Sequence, residues 1–360
     1  MSKFSEQVLA WFEQYGRHDL PWQKTITPYR VWVSEIMLQQ TQVKTVIPYY
    51  ERFMRSFPTV EALAQASQDA VLAHWAGLGY YARGRNLHKS AIKIMADFEG
   101  QFPEKYEDIL ALSGIGCSTA GAILSIALQQ RYTILDGNVK RVLSRYLALE
   151  GWTGSKENER FLWQKAEAFT PALRFADYTQ AIMDLGATVC TRTKPRCEIC
   201  PVKSGCLANQ QDRVSHFPVA KPKKEKPIKQ AYFLVLENTE GKVFLQQRPQ
   251  KGIWGGLWSF PEYESRQMCL AQIKKYESQT MGLQSLVEWN SFRHTFSHYH
   301  LDIFPMIVQS IDEKQALQIL QVFGNGEWGC KAALNSNQAT LGVPAPVTKL
   351  VRLMRESEHV

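Results

Sequence analysis

The sequence contains no apolar run near the roughly 18 residues that a membrane-spanning helix needs. Its longest, residues 120–128, is interrupted by Ser125. The first 17 residues lack the apolar core and cleavage site of a secretory signal. With 45% hydrophobic and 21% charged residues, the composition also excludes a disordered chain, a collagen and a small disulfide scaffold. These absences predict a globular cytoplasmic protein, and its 360 residues suffice for two or three domains of about 150 residues each.

Surplus positive charge is missing from the last third of the chain, although the net charge is +8. Residues 1–216 carry 25 Lys and Arg against 21 Asp and Glu, residues 217–229 carry 5 against 1, and residues 230–360 carry 12 of each. Because Lys and Arg contacts to phosphates dominate nucleic-acid affinity, this placement fits a polyanion held by the first part. Solubility alone would explain the charge equally well.

A segment rich in Lys and Pro, residues 217–229, has neither helical nor strand periodicity and predicts an interdomain linker. Before it, apolar residues recur at helical spacing, so residues 1–216 are predicted to be nearly all helical. After it, two short apolar runs, 231–236 and 242–247, flank a turn and predict a hairpin. Helical patterns follow, which makes residues 230–360 an α+β domain. In the first region, helices are predicted over residues 1–17, 28–42, 45–53, 59–64, 69–75, 85–98, 106–112, 118–128, 139–146 and 157–170.

Four of the seven cysteines fall within 17 residues with the spacing C-x6-C-x2-C-x5-C. Disulfides are disfavoured in a cytosolic chain, so the spacing predicts metal ligands. Zinc also accepts four thiolates, but its structural sites usually combine two C-x2-C pairs, and only one is present. A compact single loop fits an iron–sulfur cluster better. The four are Cys190, Cys197, Cys200 and Cys206.

Two glycines, Gly114 and Gly116, bracket Ile115 between a short helical pattern and a second pattern rich in small residues. This arrangement predicts a tight helical hairpin in which Ile115 fills the core. The free N–H groups at the start of the second helix could bind phosphate. A plain helical hairpin without a ligand would show the same short motif.

Four motifs together resemble those of the MutY family within the helix-hairpin-helix DNA glycosylase superfamily. They are the hairpin, the segments 34–43 (SEIMLQQTQV) and 135–142 (LDGNVKRV), and the cysteine spacing. The resemblance implies a six-helix module over about residues 28–136, a cluster domain from 1–27 plus 137–216, and a four-iron, four-sulfur cluster on the four cysteines. It also implies a monomeric, nucleoid-associated enzyme of base excision repair. The expected substrate is double-stranded DNA with adenine opposite 8-oxoguanine or guanine.

Two carboxylates are the candidate catalytic residues. Glu35 lies beside an apolar helical face, where its charged form is disfavoured; an ordinary surface glutamate would fit the same pattern. The resemblance makes Glu35 the acid that protonates adenine. Asp136 precedes a helix and would be a good N-cap. The resemblance instead places it at the deoxyribose, where its charge would stabilise the cation that forms as the base leaves.

Ser118 occupies the position at which endonuclease III, by resemblance, carries its lyase lysine. A lyase needs an amine to form a Schiff base with the opened sugar, so a monofunctional glycosylase is expected. Two other functions stay open: a bifunctional glycosylase/lyase of the endonuclease III type, and a non-catalytic binder of damaged DNA. The second would have no need of both Glu35 and Asp136.

The resemblance also implies a set of residues that contact DNA or the lesion. Tyr80, in a Gly-Leu-Gly-Tyr-Tyr turn, is expected to wedge between bases, although a Tyr-Tyr pair is often core packing. Ser297 and His298 are expected to read 8-oxoguanine, with His298 and His300 on one face of a strand and no metal between them. Asp184 matches an acidic position near the adenine pocket, or is a helix-surface residue. The further expected contacts are Gln40, Thr41, Gly114, Gly116, Ser118 and Asn138.

Residues 230–360 resemble the MutT-related (Nudix) domain of the same family. Hydrolases of that fold hold Mg²⁺ on a glutamate-rich helix. Here the segment 262–268 reads EYESRQM, without the clustered R-E-x-x-E-E pattern. We therefore expect this domain to recognise the lesion and not to hydrolyse nucleotides.

Overall fold

A computed structural model describes residues 1–221, 225–279, 286–324, 326–334 and 341–357. Within these residues, no helix is both long and apolar enough to cross a membrane. The chain divides into two compact units. The first comprises Met1–Gln65 and Asn86–Lys223, and the second comprises Ala66–Arg85 and Lys224–Val360.

The chain is helical up to residue 210. The start of helix α2 illustrates how the sequence encodes a helix. The Thr27 side chain accepts a hydrogen bond from the Arg30 N–H, and Pro28 occupies the first helical position. The helices are α1 (Lys3–Tyr15), α2 (Pro28–Leu38), α3 (Val43–Ser56), α4 (Val60–Gln65), α5 (Gln68–Trp75), α6 (Ala82–Asp97), α7 (Tyr106–Leu110), α8 (Cys117–Ile126), α9 (Gly137–Tyr146), α10 (Lys156–Phe169), α11 (Phe175–Asp184) and α12 (Leu207–Gln210). A π-helical turn, Leu185–Val189, continues α11.

The core of the first unit lies where α2 packs against α8 and α3. Trp32, Ile36 and Met37 on α2 are fully or almost fully buried there, as is Ile123 on α8. Helix α2 is shorter than its predicted range of 28–42 because Gln40 adopts a left-handed backbone conformation (φ 57°), which ends the helix. The chain therefore turns immediately after the helix that carries Glu35.

The second unit contains a mixed sheet with the strand order β3-β2-β1-β7-β5. The predicted hairpin is confirmed: β1 and β2 are antiparallel neighbours, whereas β1 and β7 are parallel. The strands are β1 (Ile228–Asn238), β2 (Lys242–Gln247), β3 (Trp258–Ser259), β4 (Glu262–Tyr263), β5 (Leu286–Glu288), β6 (Phe292–Thr295), β7 (His300–Ile311) and β8 (Gly326–Cys330). The helices are α13 (Arg266–Gln279), α14 (Glu313–Phe323), α15 (Lys331–Leu334) and α16 (Ala345–Ser357).

Each face of this sheet has its own core. Val347 and Leu350 of α16 are buried in one of them, and Cys269 of α13 is buried with Ile319 of α14 in the other. The unit is thus a sheet between helical layers, which agrees with the α+β prediction.

Described residues of the segment predicted as a linker, residues 217–229, make contacts with the rest of the fold. Phe217 is buried, and its carbonyl accepts a hydrogen bond of 2.9 Å from Arg145 Nε. Val219 pairs with Trp152 in an isolated bridge, and β1 begins at Ile228. The Lys and Pro content concealed these apolar anchors.

Candidate active site

Glu35 lies on α2, the helix that packs against α8 of the hairpin. Part of the Glu35 residue is exposed to solvent, but its carboxyl group is desolvated. Burial raises the pKa of this carboxyl to about 8, and the negative charge of Asp136 adds to the rise. The group is therefore mostly protonated at neutral pH, unlike an ordinary surface glutamate, and is suited to donate a proton.

Asp136 is the N-cap of α9. One carboxylate oxygen accepts a hydrogen bond of 2.8 Å from the Val139 N–H, and the other accepts one of 3.1 Å from the Asn138 amide. Burial raises the pKa of Asp136, while these donors and the Arg141 charge act in the opposite direction. A carboxylate has about four acceptor sites, so capping leaves capacity for a second role toward a substrate.

Arg141 connects the Asp136 cap to the cysteine loop. Its Nη2 donates to Asn138 Oδ1 at 2.8 Å and to the Gly186 carbonyl at 2.7 Å, and its Nε donates to the Cys190 carbonyl at 2.7 Å. Sequence reasoning missed this chain of bonds because its partners are as much as 49 residues apart. The Asn138 amide is bonded within the protein on both sides, and its DNA contact stays a prediction.

Ser118 lies in the first turn of α8, and its Oγ accepts a hydrogen bond of 2.7 Å from the Leu135 N–H. Leu135 is the residue before Asp136. The hydroxyl therefore fixes the segment that presents the second carboxylate, a role that the sequence did not reveal. In this way the first unit brings Glu35, Asp136 and Ser118 into one site.

The hairpin between α7 and α8 has the predicted form. Ile115 is buried, and Gly114 has φ 82°; a Cβ there would lie 2.9 Å from the Asn86 Cβ, so no larger residue fits. Gly116 is the N-cap of α8 and makes no side-chain capping bond, and no acidic residue occupies the first turn. The N–H groups at this helix start are thus suited to donate hydrogen bonds to a phosphate.

All four cysteines of the predicted cluster line one pocket of the first unit. Arg145 reaches this pocket and donates to Cys190 Sγ at 3.3 Å and to the Thr191 carbonyl at 2.7 Å. Burial raises the pKa of the Cys200 thiol to about 12. In the described part of the chain, no three His, Cys, Asp or Glu side chains form a group that could hold a single metal ion.

Gln40 and Thr41 follow directly after α2. Gln40 is exposed and has φ 57°, and the Thr41 hydroxyl donates to the Gln39 carbonyl at 3.4 Å. Gln39 Nε2 in turn reaches Thr119 Oγ1 of α8 at 3.4 Å. The turn after Glu35 is therefore attached to the hairpin, which leaves Gln40 free to face a ligand.

Tyr80 belongs to the second unit, where it is 52% exposed and has φ 49°. This is not core packing. The buried Arg83 guanidinium lies over its ring at 5.5 Å and donates to the Gly79 carbonyl at 3.0 Å. Trp75 Nε1 donates to the same carbonyl at 3.2 Å. A rigid turn thus presents an exposed aromatic ring in a conformation that is unfavourable for a tyrosine.

Ser297 and His298 lie in the turn between β6 and β7, where both are exposed. Ser297 Oγ and His298 Nδ1 are 3.3 Å apart. The prediction that His298 shares a strand face with His300 is wrong, because a backbone hydrogen bond of 2.9 Å from Phe296 to Tyr299 closes a turn before β7 begins. The turn places both residues at a tip, where a ligand can reach them.

Aromatic rings support this turn from below. His294 and Phe296 have ring centroids 4.6 Å apart, Phe296 and Tyr299 are equally close, and His298 lies 4.8 Å from Tyr299. Such contacts stabilise a loop that would otherwise have few bonds.

Asp184, at the end of α11, is not a helix-surface residue. Its side chain is 2% exposed, and its two oxygens accept hydrogen bonds from the Arg17 backbone N–H at 2.7 Å and from Arg17 Nε at 3.0 Å. A buried carboxylate paired in this way holds the N-terminal segment against α11.

Residues 33–168 match the family model of the HhH-GPD superfamily of base excision DNA repair proteins, and residues 231–353 match a NUDIX domain. A solved thermostable thymine-DNA glycosylase is similar with a TM-score of 0.53 and 26% identity, over 58% of this chain and 95% of that one. The fold and site thus define a helix-hairpin-helix DNA glycosylase joined to a Nudix-like domain.

Curated relatives narrow the class. The adenine DNA glycosylase of Buchnera aphidicola subsp. Acyrthosiphon pisum (strain APS) is 38% identical over 98% of both chains. That of Homo sapiens is 34% identical, over 84% of this chain and 66% of its own length. The chain belongs to the adenine DNA glycosylase family, and it is an enzyme of base excision repair that binds DNA.

Proposed function

We propose that the enzyme removes adenine mispaired with 8-oxoguanine or guanine and leaves the DNA strand intact. The observation that carries this proposal is the coupled pair of Glu35, whose pKa is raised to about 8, and the capped Asp136. Burial raises the pKa of both carboxyls, that of Glu35 to about 8, but at Asp136 hydrogen-bond donors and the Arg141 charge oppose the rise and favour the ionised form. This is the division of roles that an acid-assisted cleavage of a glycosidic bond requires.

In the reaction, Glu35 donates its proton to a ring nitrogen of adenine, which makes the neutral base a workable leaving group. The bond between the base and C1′ of the deoxyribose then breaks, and its electron pair leaves with adenine. The Asp136 carboxylate offsets the positive charge that develops on the sugar. Water adds to C1′ and passes a proton to the Glu35 carboxylate that the first step left behind, which restores the acid and completes hydrolysis.

The absence of an amine at position 118 supports the monofunctional assignment. Ser118 is a hydroxyl residue whose oxygen is already bonded to the Leu135 N–H. A Schiff base requires an amine, and a serine cannot supply one.

A four-iron, four-sulfur cluster fits the cysteine pocket. The four thiols line one pocket, and four cysteine thiolates are the ligand set that would hold such a cluster. The Arg145 guanidinium, which contacts Cys190 Sγ, would balance thiolate charge. When bound, the cluster would fix this loop and supply redox chemistry, and it takes no part in hydrolysis. The ligands would be Cys190, Cys197, Cys200 and Cys206.

Recognition of the mispair would use the exposed residues of both units. Tyr80 would wedge into the stacked bases, Gln40 and Thr41 would contact the strand opposite adenine, and Ser297 with His298 would read 8-oxoguanine. The exposure of Gln40, Tyr80, Ser297 and His298 and the partial exposure of Thr41 support these roles. The enzyme would act as a monomer on chromosomal DNA in the cytoplasm.

The test is a single-turnover reaction with a duplex carrying adenine opposite 8-oxoguanine, analysed with and without hot alkali. Strand breaks that appear only after alkali treatment are expected, because an abasic site without lyase chemistry is cleaved only by base. Breaks without alkali would establish a bifunctional lyase. Tight binding without any break would establish a damage-binding protein.

A further inference from the structure

A groove of about 460 Å³ lies within the second unit. One wall is the start of α16, represented by Ala345 and Thr348, and another is β6 with Phe292 and His294. Gly77, from the turn that carries Tyr80, also lines it. The lining thus includes the turn that carries Tyr80 and the strand that leads into the turn of Ser297 and His298.

Cations line this groove, although residues 230–360 carry equal numbers of positive and negative side chains. Arg293, Lys349 and Arg352 are lining residues, and none of the described lining residues is acidic. Arg293 is paired with Asp302, and Arg352 lies 3.6 Å from the exposed Glu356. Such solvent-exposed pairs are worth little and can yield to a phosphate.

Lys349 is the most available of these cations. It is exposed, and in the described part of the chain it forms no ion pair with a carboxylate. Its ammonium lies 4.4 Å from the centre of the Phe292 ring, which directs the side chain along the groove wall. The positive end of the α16 dipole faces the same space through Ala345 and Thr348.

We propose that this groove binds backbone phosphates of duplex DNA, with Lys349 and Arg352 as the contacting cations. The inference rests on the proposed function, because it extends the DNA surface from Tyr80 and the turn of Ser297 and His298 onto α16. The zero net charge of residues 230–360 argues by itself against phosphate binding by this domain. The local segregation of its charges removes that objection, because a phosphate senses only the charges within about one Debye length, ~10 Å.

The double variant K349A/R352A tests the proposal against K274A/K314A, which removes two exposed lysines from α13 and α14. Affinity for an A:8-oxoguanine duplex is measured by anisotropy between 0.05 and 0.3 M salt, in a Glu35→Gln background that prevents turnover. At a slope of about −0.9 per phosphate, each lost contact should cost about eightfold in affinity at 0.1 M salt. The slope of log K against log salt should become shallower by about 0.9 per contact. An undamaged duplex should show the same losses.

Unchanged slopes in K349A/R352A, or equal changes in both double variants, would overturn the proposal. Binding of adenosine diphosphate that requires Lys349 and Arg352, with an unchanged DNA slope, would reassign the groove to a free nucleotide and also overturn it. If the wild-type chain binds with the expected slope but excises nothing, the proposed function fails and the groove assignment survives.

Discussion

The proposed catalytic pair of the first unit and the turn of the second unit that is proposed to read 8-oxoguanine place polar side chains in opposite environments. Glu35 and Asp136 are desolvated, and the Asp136 charge raises the pKa of Glu35, whereas Ser297 and His298 are exposed at the tip of a hairpin. Cleavage of the glycosidic bond needs a carboxyl group that stays protonated above its ordinary pKa, and burial of the carboxyl provides this. Recognition of a base needs accessible donors and acceptors, which require exposure. Substitutions at the carboxylates should therefore change the rate of excision, and substitutions in the turn should change the preference for 8-oxoguanine over guanine.

Replacement of Glu35 by Gln should have the largest effect. The amide keeps the size of the side chain but cannot donate a proton to adenine, so the single-turnover rate constant should fall roughly 10²- to 10⁴-fold. Affinity for the A:8-oxoguanine duplex should change little. Glu61→Gln, on the exposed face of α4, is the matched control and should retain the full rate. Full activity of Glu35→Gln would remove this residue from the mechanism.

Asp136→Asn should lower the rate constant roughly 10²- to 10³-fold, because the charge that stabilises the sugar cation is lost. Asn is as good an N-cap as Asp, so the thermal unfolding temperature should be nearly unchanged. Rate and melting temperature are measured on the same preparation. A large drop in melting temperature with a normal rate would assign Asp136 to capping alone.

Local signals explain what the sequence could predict. The N-cap at Thr27, the hairpin glycines and the Asp-Gly-Asn turn are each encoded within a few residues, and the structure contains all three. Helix α11 was not predicted because Arg174 begins it in a left-handed conformation without a capping bond, so no start signal exists.

Long-range partners were beyond such reasoning. Arg17 and Asp184 are 167 residues apart, and the parallel pairing of β1 with β7 joins residues more than 70 positions apart, as Ile228 with His300. Only packing of the whole chain decides these contacts. The resemblance to a known family supplied the role of Glu35, which helical periodicity alone would leave on the surface.

The pH dependence tests whether burial of Glu35 is functional. Because the protonated form is the reactive one, the single-turnover rate constant should be nearly constant below about pH 7, fall to about half near pH 8 and then fall about tenfold per pH unit well above it. Rates between pH 6.5 and 9.5 measure this. A constant rate up to pH 9.5 would contradict the raised pKa.

The raised pKa of Glu35 also makes the stability of the folded protein depend on pH. A carboxyl whose pKa rises from its ordinary value to about 8 binds its proton more tightly in the folded state. The contribution of Glu35 to the free energy of unfolding therefore declines as pH rises from about 4.5 to 8. Glu35→Gln should accordingly melt at a higher temperature than the wild type at pH 8, with the difference vanishing near pH 4. The acid that drives catalysis would then cost the enzyme stability.

Replacement of Ser297 by Ala should have the smallest effect and the most selective one. Loss of one neutral hydrogen bond, about 0.5–1.5 kcal/mol, should narrow the preference for 8-oxoguanine over guanine about two- to tenfold. The maximal rate on the better substrate should stay the same, because Ser297 lies on the exposed turn and not among the desolvated carboxylates. Ser291→Ala, just before β6, is the control and should leave the ratio unchanged. An equal loss of rate on both mispairs would show that this turn serves catalysis as much as recognition. The division of roles between the two units, catalysis in the first and recognition in the second, would then be wrong.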